Sequence, residues 1–230
     1  MNTRSTKLLH LTVAIVSFFV SMCATKAAAT TVIQISTEDL VSHAEIVFKG
    51  EAFSSRAEMS DNGQIYTYVN FRIDELIKGE FKENELQLRF SGGEVDGSGQ
   101  DYGIDIPSVG EIGIYFVTIS KKNLYNPIVG WSQGQFTITD ENQVVSANGG
   151  VVVEINFVES PKSKSISSGV AQGVLTKQRS KIQGPVERAL SPEEFKLKIR
   201  AIEAEVNQSS EQIGVKRKKS TLTGVPFGSP

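Results

Sequence analysis

Between Ile46 and Phe157 the chain alternates apolar and polar residues over long stretches, the period of a half-buried β-strand. Ile46, Phe48, Gly50 and Ala52 fall on one strand face. Ile65 to Ile77 gives the longest alternation. Ile65, Val69, Phe71, Ile73 and Ile77 lie on one side, and Tyr66, Tyr68, Asn70, Arg72 and Asp74 on the other. Between these strands, Asp61-Asn62-Gly63-Gln64 predicts a tight hairpin, because Asn-Gly accepts the positive backbone angles it needs. Lys78-Gly79 ends the second strand, and Leu86, Leu88 and Phe90 mark a third. Ile112 to Ile119 is almost continuously apolar, β-branched and aromatic, and its shortness predicts a strand buried on both faces. Ile128 to Ile138 reads as a further strand, with Gly130, Ser132 and Gly134 on one face and Trp131 on the other. Val151, Val153, Ile155 and Phe157 alternate again.

Two segments carry helical patterns. Ser36 can cap a short helix with Asp39 three positions on, and Leu40, Val41 and Ala44 would face inward. Ser191-Pro192-Glu193-Glu194 is a capping box with proline at the first helical position. Phe195, Ile199, Ile202 and Val206 follow at helical spacing. Residues 160–190 read as a flexible linker, 191–206 as an amphipathic helix, and 207–230 as a disordered basic tail around Lys216 to Lys219. Short strands separated by turn signals predict an all-β domain over residues 30–159. Long bent strands with internal glycines favour an oligonucleotide-binding-like (OB-like) antiparallel barrel, closed or partly open, with the amphipathic helix appended at its C-terminal side.

The first 29 residues have the order of a signal peptide: Arg4 and Lys7, an apolar run from Leu8 to Val20, then Ala27-Ala28-Ala29. That run is too short for a spanning helix, which needs roughly 20 residues. The expected location is therefore secreted or periplasmic, with no transmembrane segment after cleavage. Cys23 opens an alternative, a lipid-attached surface module, but Met22 before it is bulky for such processing. Cys23 is the one cysteine in the chain, so no internal disulfide can form.

Charge is divided unevenly. Thr30 to Glu159 holds 8 Lys and Arg against 20 Asp and Glu, and Ser160 to Pro230 holds 13 against 6. The basic part could meet a membrane surface, a polyanion or the acidic domain itself, and a solvated tail is the plainer expectation. After cleavage at Ala29, His43 is the one remaining histidine, which excludes multi-histidine and zinc–thiolate sites. A secreted hydrolase would have to rest on His43, which is otherwise a packing residue at the end of a short helix. Asp96, Ser98, Gln100 and Asp101 loosely follow calcium-loop spacing, but Asp101 stands where the loop glycine should be. A hairpin loop is the expectation there. Tyr66, Tyr68 and Arg72 could stack bases, yet the acidic domain opposes phosphate contact, so no nucleic-acid partner is expected. The chain has no P-loop and no dinucleotide fingerprint. No catalytic, cofactor-binding or metal-binding residue is assigned, and no cofactor is expected.

The string SHAEIVFKGEAF, then IYTYVNFRIDELIKGEF, LQLRFSGG and IVGWSQGQFTI, resembles a β-barrel domain that recurs in uncharacterised secreted bacterial proteins. The segment SPEEFKLKIRAIEAEV resembles that family's C-terminal helix. More distantly, the order of elements is similar to the netrin-like OB-fold of tissue inhibitors of metalloproteinases. That resemblance implies a non-catalytic binder of a protein partner such as an exported protease. It does not bring the inhibitors' zinc-chelating N-terminal cysteine, because a mature chain starting near Thr30 has none.

Overall fold

The structure, a computed structural model, describes residues 32–119, 124–159, 166, 169–178 and 188–222. Residues 1–31, which include the expected signal peptide and Cys23, much of the 160–190 segment and residues 223–230 lie outside the described residues.

The chain forms a short helix α1 (Thr37–His43) and ten strands, followed by α2 (Pro192–Leu222). The strands are β1 (Ile46–Met59), β2 (Ile65–Lys78), β3 (Glu85–Ser91), β4 (Gly93–Val95), β5 (Ser98–Gln100), β6 (Ile112–Val117), β7 (Gln135–Ile138), β8 (Val144–Ser146), β9 (Val151–Ile155) and β10 (Val174–Lys177). Eight of them build one antiparallel sheet in the order β10-β9-β8-β7-β6-β1-β2-β3, and β4 and β5 form a separate hairpin. The protein is thus mainly β, with a large antiparallel sheet and a C-terminal helix.

β1 lies inside the sheet, paired with β2 along its whole length and with β6 over its first half. Three register shifts interrupt the β1–β2 ladder, between Val47 and Phe48, Lys49 and Gly50, and Ala52 and Ser54. Such bulges bend a strand and increase its twist. Gly50 sits at one of them, where an added Cβ would lie 2.3 Å from the carbonyl oxygen of Arg72. Only glycine allows the two backbones to approach this closely.

Because β1 and β6 are buried on both faces, two cores form. On one face Val47, Ile114, Phe116, Phe136, Val152 and Ile155 meet α1 through Leu40, Val41 and Ala44, and α2 through Phe195, Ile199, Ile202 and Val206. On the other face Ile46, Phe48, Val69, Phe71, Leu88, Phe90, Tyr115 and Val117 pack together, lined at the margin by Phe81, Ile104 and Ile106. The rings of Phe48, Phe71 and Tyr115 form its centre, with centroids 4.9–5.6 Å apart. The apolar run from Ile112 to Ile119 is thus buried on both faces from Gly113 to Val117, while Ile112 and Ile119 at its ends are exposed.

Both helix starts behave as their sequences predict. Ser36 Oγ accepts the Asp39 amide at 2.9 Å. Ser191 Oγ accepts the Glu194 amide at 3.3 Å, while Glu194 Oε2 accepts the Ser191 amide at 2.9 Å.

Four sequence expectations change. The 160–190 segment is not all linker: Val170, Ala171 and Val174 are buried and β10 pairs with β9. Two short apolar pairs, Val170-Ala171 before Gly173 and Val174-Leu175 after it, are enough to add this edge strand at Val174–Lys177. The last helix does not stop at Val206 but continues to Leu222, so residues 207–222 are helical rather than a disordered tail. No proline interrupts this stretch. Ile128 to Ile138 is not one strand: a 3-10 turn occupies Trp131–Gly134 and β7 begins only at Gln135. Alternation in β9 fails at Val153, where the pairing with β10 skips a residue and Val152 turns inward instead.

Candidate interaction surface and cleft

The helices cover one face of the sheet over β6–β9 and the start of β1. Cover ends at Glu75 on β2, which pairs with Lys196 at 3.0 Å and Arg200 at 3.6 Å. Lys196 also reaches Glu193. Of the three destinations open to the basic C-terminal part, the acidic domain therefore receives at least these two charges.

Beyond Glu75 the same face is open over β1, β2 and β3. All three arginines between Thr30 and Glu159 lie there, each above an aromatic ring. Arg56 sits 5.2 Å from the ring centre of Tyr68, Arg72 5.2 Å from Phe53, and Arg89 4.5 Å from Tyr66. Antiparallel pairing explains the placement: Arg56 is opposite Tyr68, and Tyr68 is opposite Arg89. Carboxylates complete the ladder, with Glu58 2.6 Å from Arg56 and Glu51 3.0 Å from Arg72. Asn70 donates to Ser54 Oγ at 2.8 Å and accepts from Gln87 at 2.9 Å. Each exposed cation–π contact contributes about 0.5–1 kcal/mol. Their larger effect is to hold long guanidinium side chains in one orientation before anything binds. The sequence placed Tyr66, Tyr68 and Arg72 together. Phe53, Arg56 and Arg89 were missed, because cross-strand partners depend on the register and its bulges.

A second concavity, of about 350 Å³, lies at the β6–β7 connection, lined by His43, Thr118, Tyr125, Asn126 and Trp131 among others. Trp131 has a left-handed backbone (φ 63°) directly after left-handed Gly130 (φ 67°). His43 is exposed at the end of α1, and its imidazole makes no hydrogen bond to a serine or carboxylate among the described residues. The hydrolase reading thus finds no partner for His43 among those residues.

The Gly-rich loop is a hairpin. Asp96 (φ 51°) and Gly97 (φ 76°) form its two-residue turn between β4 and β5. Gln100 ties it to the β1–β2 turn, accepting the Ile65 amide at 2.9 Å and donating to the Gly63 carbonyl at 2.8 Å. Asp101 accepts the Gly103 amide at 2.7 Å. Among the described residues no three His, Cys, Asp or Glu side chains gather as metal ligands.

Glu111, the residue before β6, gathers several hydrogen bonds. It accepts from the Tyr115 hydroxyl at 3.2 Å, Gln135 at 3.3 Å, Thr137 at 3.4 Å and the Ser108 amide at 3.2 Å. Burial first, and then the neighbouring Glu111 charge, push the Tyr115 phenol well above the ordinary tyrosine value.

No family model matches the chain, and neither a curated protein nor a solved structure matches it. Its class is set by the architecture alone: a mainly antiparallel β protein whose C-terminal helix completes one core.

Proposed function

We propose that this is a non-catalytic binding protein, secreted or periplasmic, that engages a protein partner such as an exported protease through the open β1–β2–β3 face. One observation carries the reading: every arginine of the acidic domain is stacked on an aromatic ring on that one solvent-facing surface. Tyrosine and arginine dominate the energetic centres of protein interfaces, and prior ordering lowers the entropic cost of using them. The second core supports the same view, since it is filled by Ile, Val, Leu and aromatic side chains. Recognition is thereby left to the surface.

A partly open OB-like barrel is part of this proposal. The hydrogen bond from the Ser91 amide to the Tyr125 carbonyl (2.8 Å) and the bridge between Val117 and Ile128 bring the β6–β7 connection against β3. β1, β2, β3, β6 and residues 124–128 then surround the second core. The netrin-like resemblance stands as a proposal on the same basis.

The test places a photo-crosslinking residue at Tyr68, and separately at Glu141 in the β7–β8 turn, in cells that export the chain. A discrete adduct is expected from position 68 and not from 141. No adduct at all, or equal adducts from both positions, would overturn the proposal.

A further inference from the structure

We infer that the outer half of β1 is a self-association edge, on which two copies of this chain pair antiparallel in a register centred on Ala57. The purified chain alone tests this, so its outcome is separate from that of the partner-binding face.

The edge exists because β1 runs on past β6. The two strands pair from Ile46 to Glu51 of β1. Their last bonds join the Ala52 amide to the Glu111 carbonyl (2.9 Å) and the Gly110 amide to the Ala52 carbonyl (2.7 Å). From Ser54 to Met59 the strand continues with β2 in unbroken register. The bulge between Ala52 and Ser54 decides which way the backbone faces there. At the end of the hairpin the Ser60 amide bonds the Gln64 carbonyl at 2.8 Å. Backbone direction alternates along a strand, so Glu58, Arg56 and Ser54 also turn their main-chain groups to β2. Ser55, Ala57 and Met59 turn theirs to the opposite side, along the row that β6 has left. Among the described residues none bonds them there. Ser55, Arg56, Glu58 and Met59 are exposed. Natural edges are guarded by proline, lysine or a covering segment, and residues 54–59 contain neither proline nor lysine.

Charge selects a second copy as the occupant and fixes its register. Antiparallel pairing of one edge with itself is two-fold symmetric, so each copy presents the same residues to the other. With Ala57 on the axis, Ala57 faces Ala57 and Ser55 faces Met59 of the second copy. All of these are positions whose main-chain groups point across the junction. Arg56 then faces Glu58 of the second copy, and Glu58 faces its Arg56. Opposite charges directly across a strand pair stabilise it, and like charges oppose it. Moving the axis to Arg56 sets two guanidinium groups against each other, and moving it to Glu58 sets two carboxylates against each other. The Ala57 register is therefore favoured over both neighbours. Arg56 is already ordered for it, 5.2 Å from the Tyr68 ring centre and 2.6 Å from Glu58 of its own chain. Met59, 48% exposed, is covered in the pair and meets only the small Ser55 of the second copy.

The test is sedimentation equilibrium of the full mature chain at pH 7.5 and low salt, which preserves surface charge pairs. An edge this short makes a small, reversible interface, and at least half of the chain is expected to be dimeric at about 500 µM. Arg56→Glu and Glu58→Arg each set like charges across the axis, at two pairs per dimer. Each should weaken association about tenfold or more. An equal mixture of these two variants has opposite charges at both pairs, and it should associate at least as tightly as wild type. Ala57→Pro removes a donor that β2 does not use, and should give a folded monomer by circular dichroism and sedimentation. Should that variant not fold, the exposed charge variants and their mixture still decide the question. The inference is overturned if more than half of the wild-type chain is monomeric at about 500 µM. It is also overturned if either charge variant associates as wild type does, or if their mixture fails to associate.

Discussion

Replacing Phe195 with alanine tests whether α2 belongs to the β domain or is an appendage to it. Phe195 is fully buried, and its ring centre lies 4.8 Å from that of Phe136 on β7. A buried phenylalanine hides roughly 150–250 Å², worth about 4–6 kcal/mol at about 25 cal/mol per Å². Alanine keeps about a third of this, and the lost ring pair adds about 0.5–1.5 kcal/mol. The expected loss is therefore about 3–5 kcal/mol, the range typical of Phe→Ala in a core. For a domain of this size the urea midpoint should fall by about 1–2 M. Unfolding is followed by far-ultraviolet circular dichroism and by Trp131 fluorescence, which report on the whole chain and on the β6–β7 connection. Both transitions should shift together and remain coincident. A midpoint within about 0.3 M of wild type, or a helical signal lost before the fluorescence changes, would refute the reasoning.

Further outcomes follow from other contacts. Glu194 is held below the ordinary carboxylate range by the Ser191 amide first and the Ser191 hydroxyl second. A depressed value means its stabilisation is present above the ordinary glutamate value of 4.5 and is lost as pH falls through the lowered folded value. Thermal melts from pH 6 to pH 3 should accordingly show a smaller acid loss in Glu194→Gln than in wild type. Tyr115 has the opposite sign: its raised value makes the folded chain lose stability as pH climbs past the ordinary tyrosine value of 10.0. Tyr115→Phe should lessen that alkaline loss in melts between pH 9 and pH 11. Gly50→Ala forces β1 and β2 apart at the Arg72 carbonyl and should cost about 2–3 kcal/mol in urea titration. Arg56→Ala, which removes one exposed cation–π contact and one surface ion pair, should cost only about 0.5–1 kcal/mol.

Strands and caps were legible where a single element carries the signal. The alternation in β2 and the two serine caps depend on neighbours a few residues apart, and each forms as its pattern predicts; the hairpin at Asn62-Gly63 also forms, but as a five-residue connection in which Gly63 (φ 78°) and not Asn62 takes the positive angle. Features that depend on pairing were not legible. Ile77 reads as sharing a face with Val69 and Phe71, yet it joins the other core, because bulges in the β1–β2 ladder reverse the alternation. β10 has too few apolar residues to stand out, and its burial comes from Thr37 and β9 around it. The glycines at 130 and 134 suggested a bent strand. They instead bracket the turn that holds Trp131 at the cleft. Tyr66, Tyr68 and Arg72 were visible as one face, but the arginine–aromatic pairing across three strands was not, since its partners are far apart in the chain.

The proposed role of the open face is tested most directly by separating binding from stability in one variant. Arg56→Ala combined with Tyr68→Ala removes one stacked pair and leaves both cores intact. The measurement is the yield of partner crosslinked from a photo-reactive residue at Arg89, alongside the melting temperature of the purified chain. The account predicts that the yield falls about tenfold or more while the melting temperature moves by no more than about 3 °C. An unchanged yield, or a fall that simply follows a loss of folded protein, would contradict it.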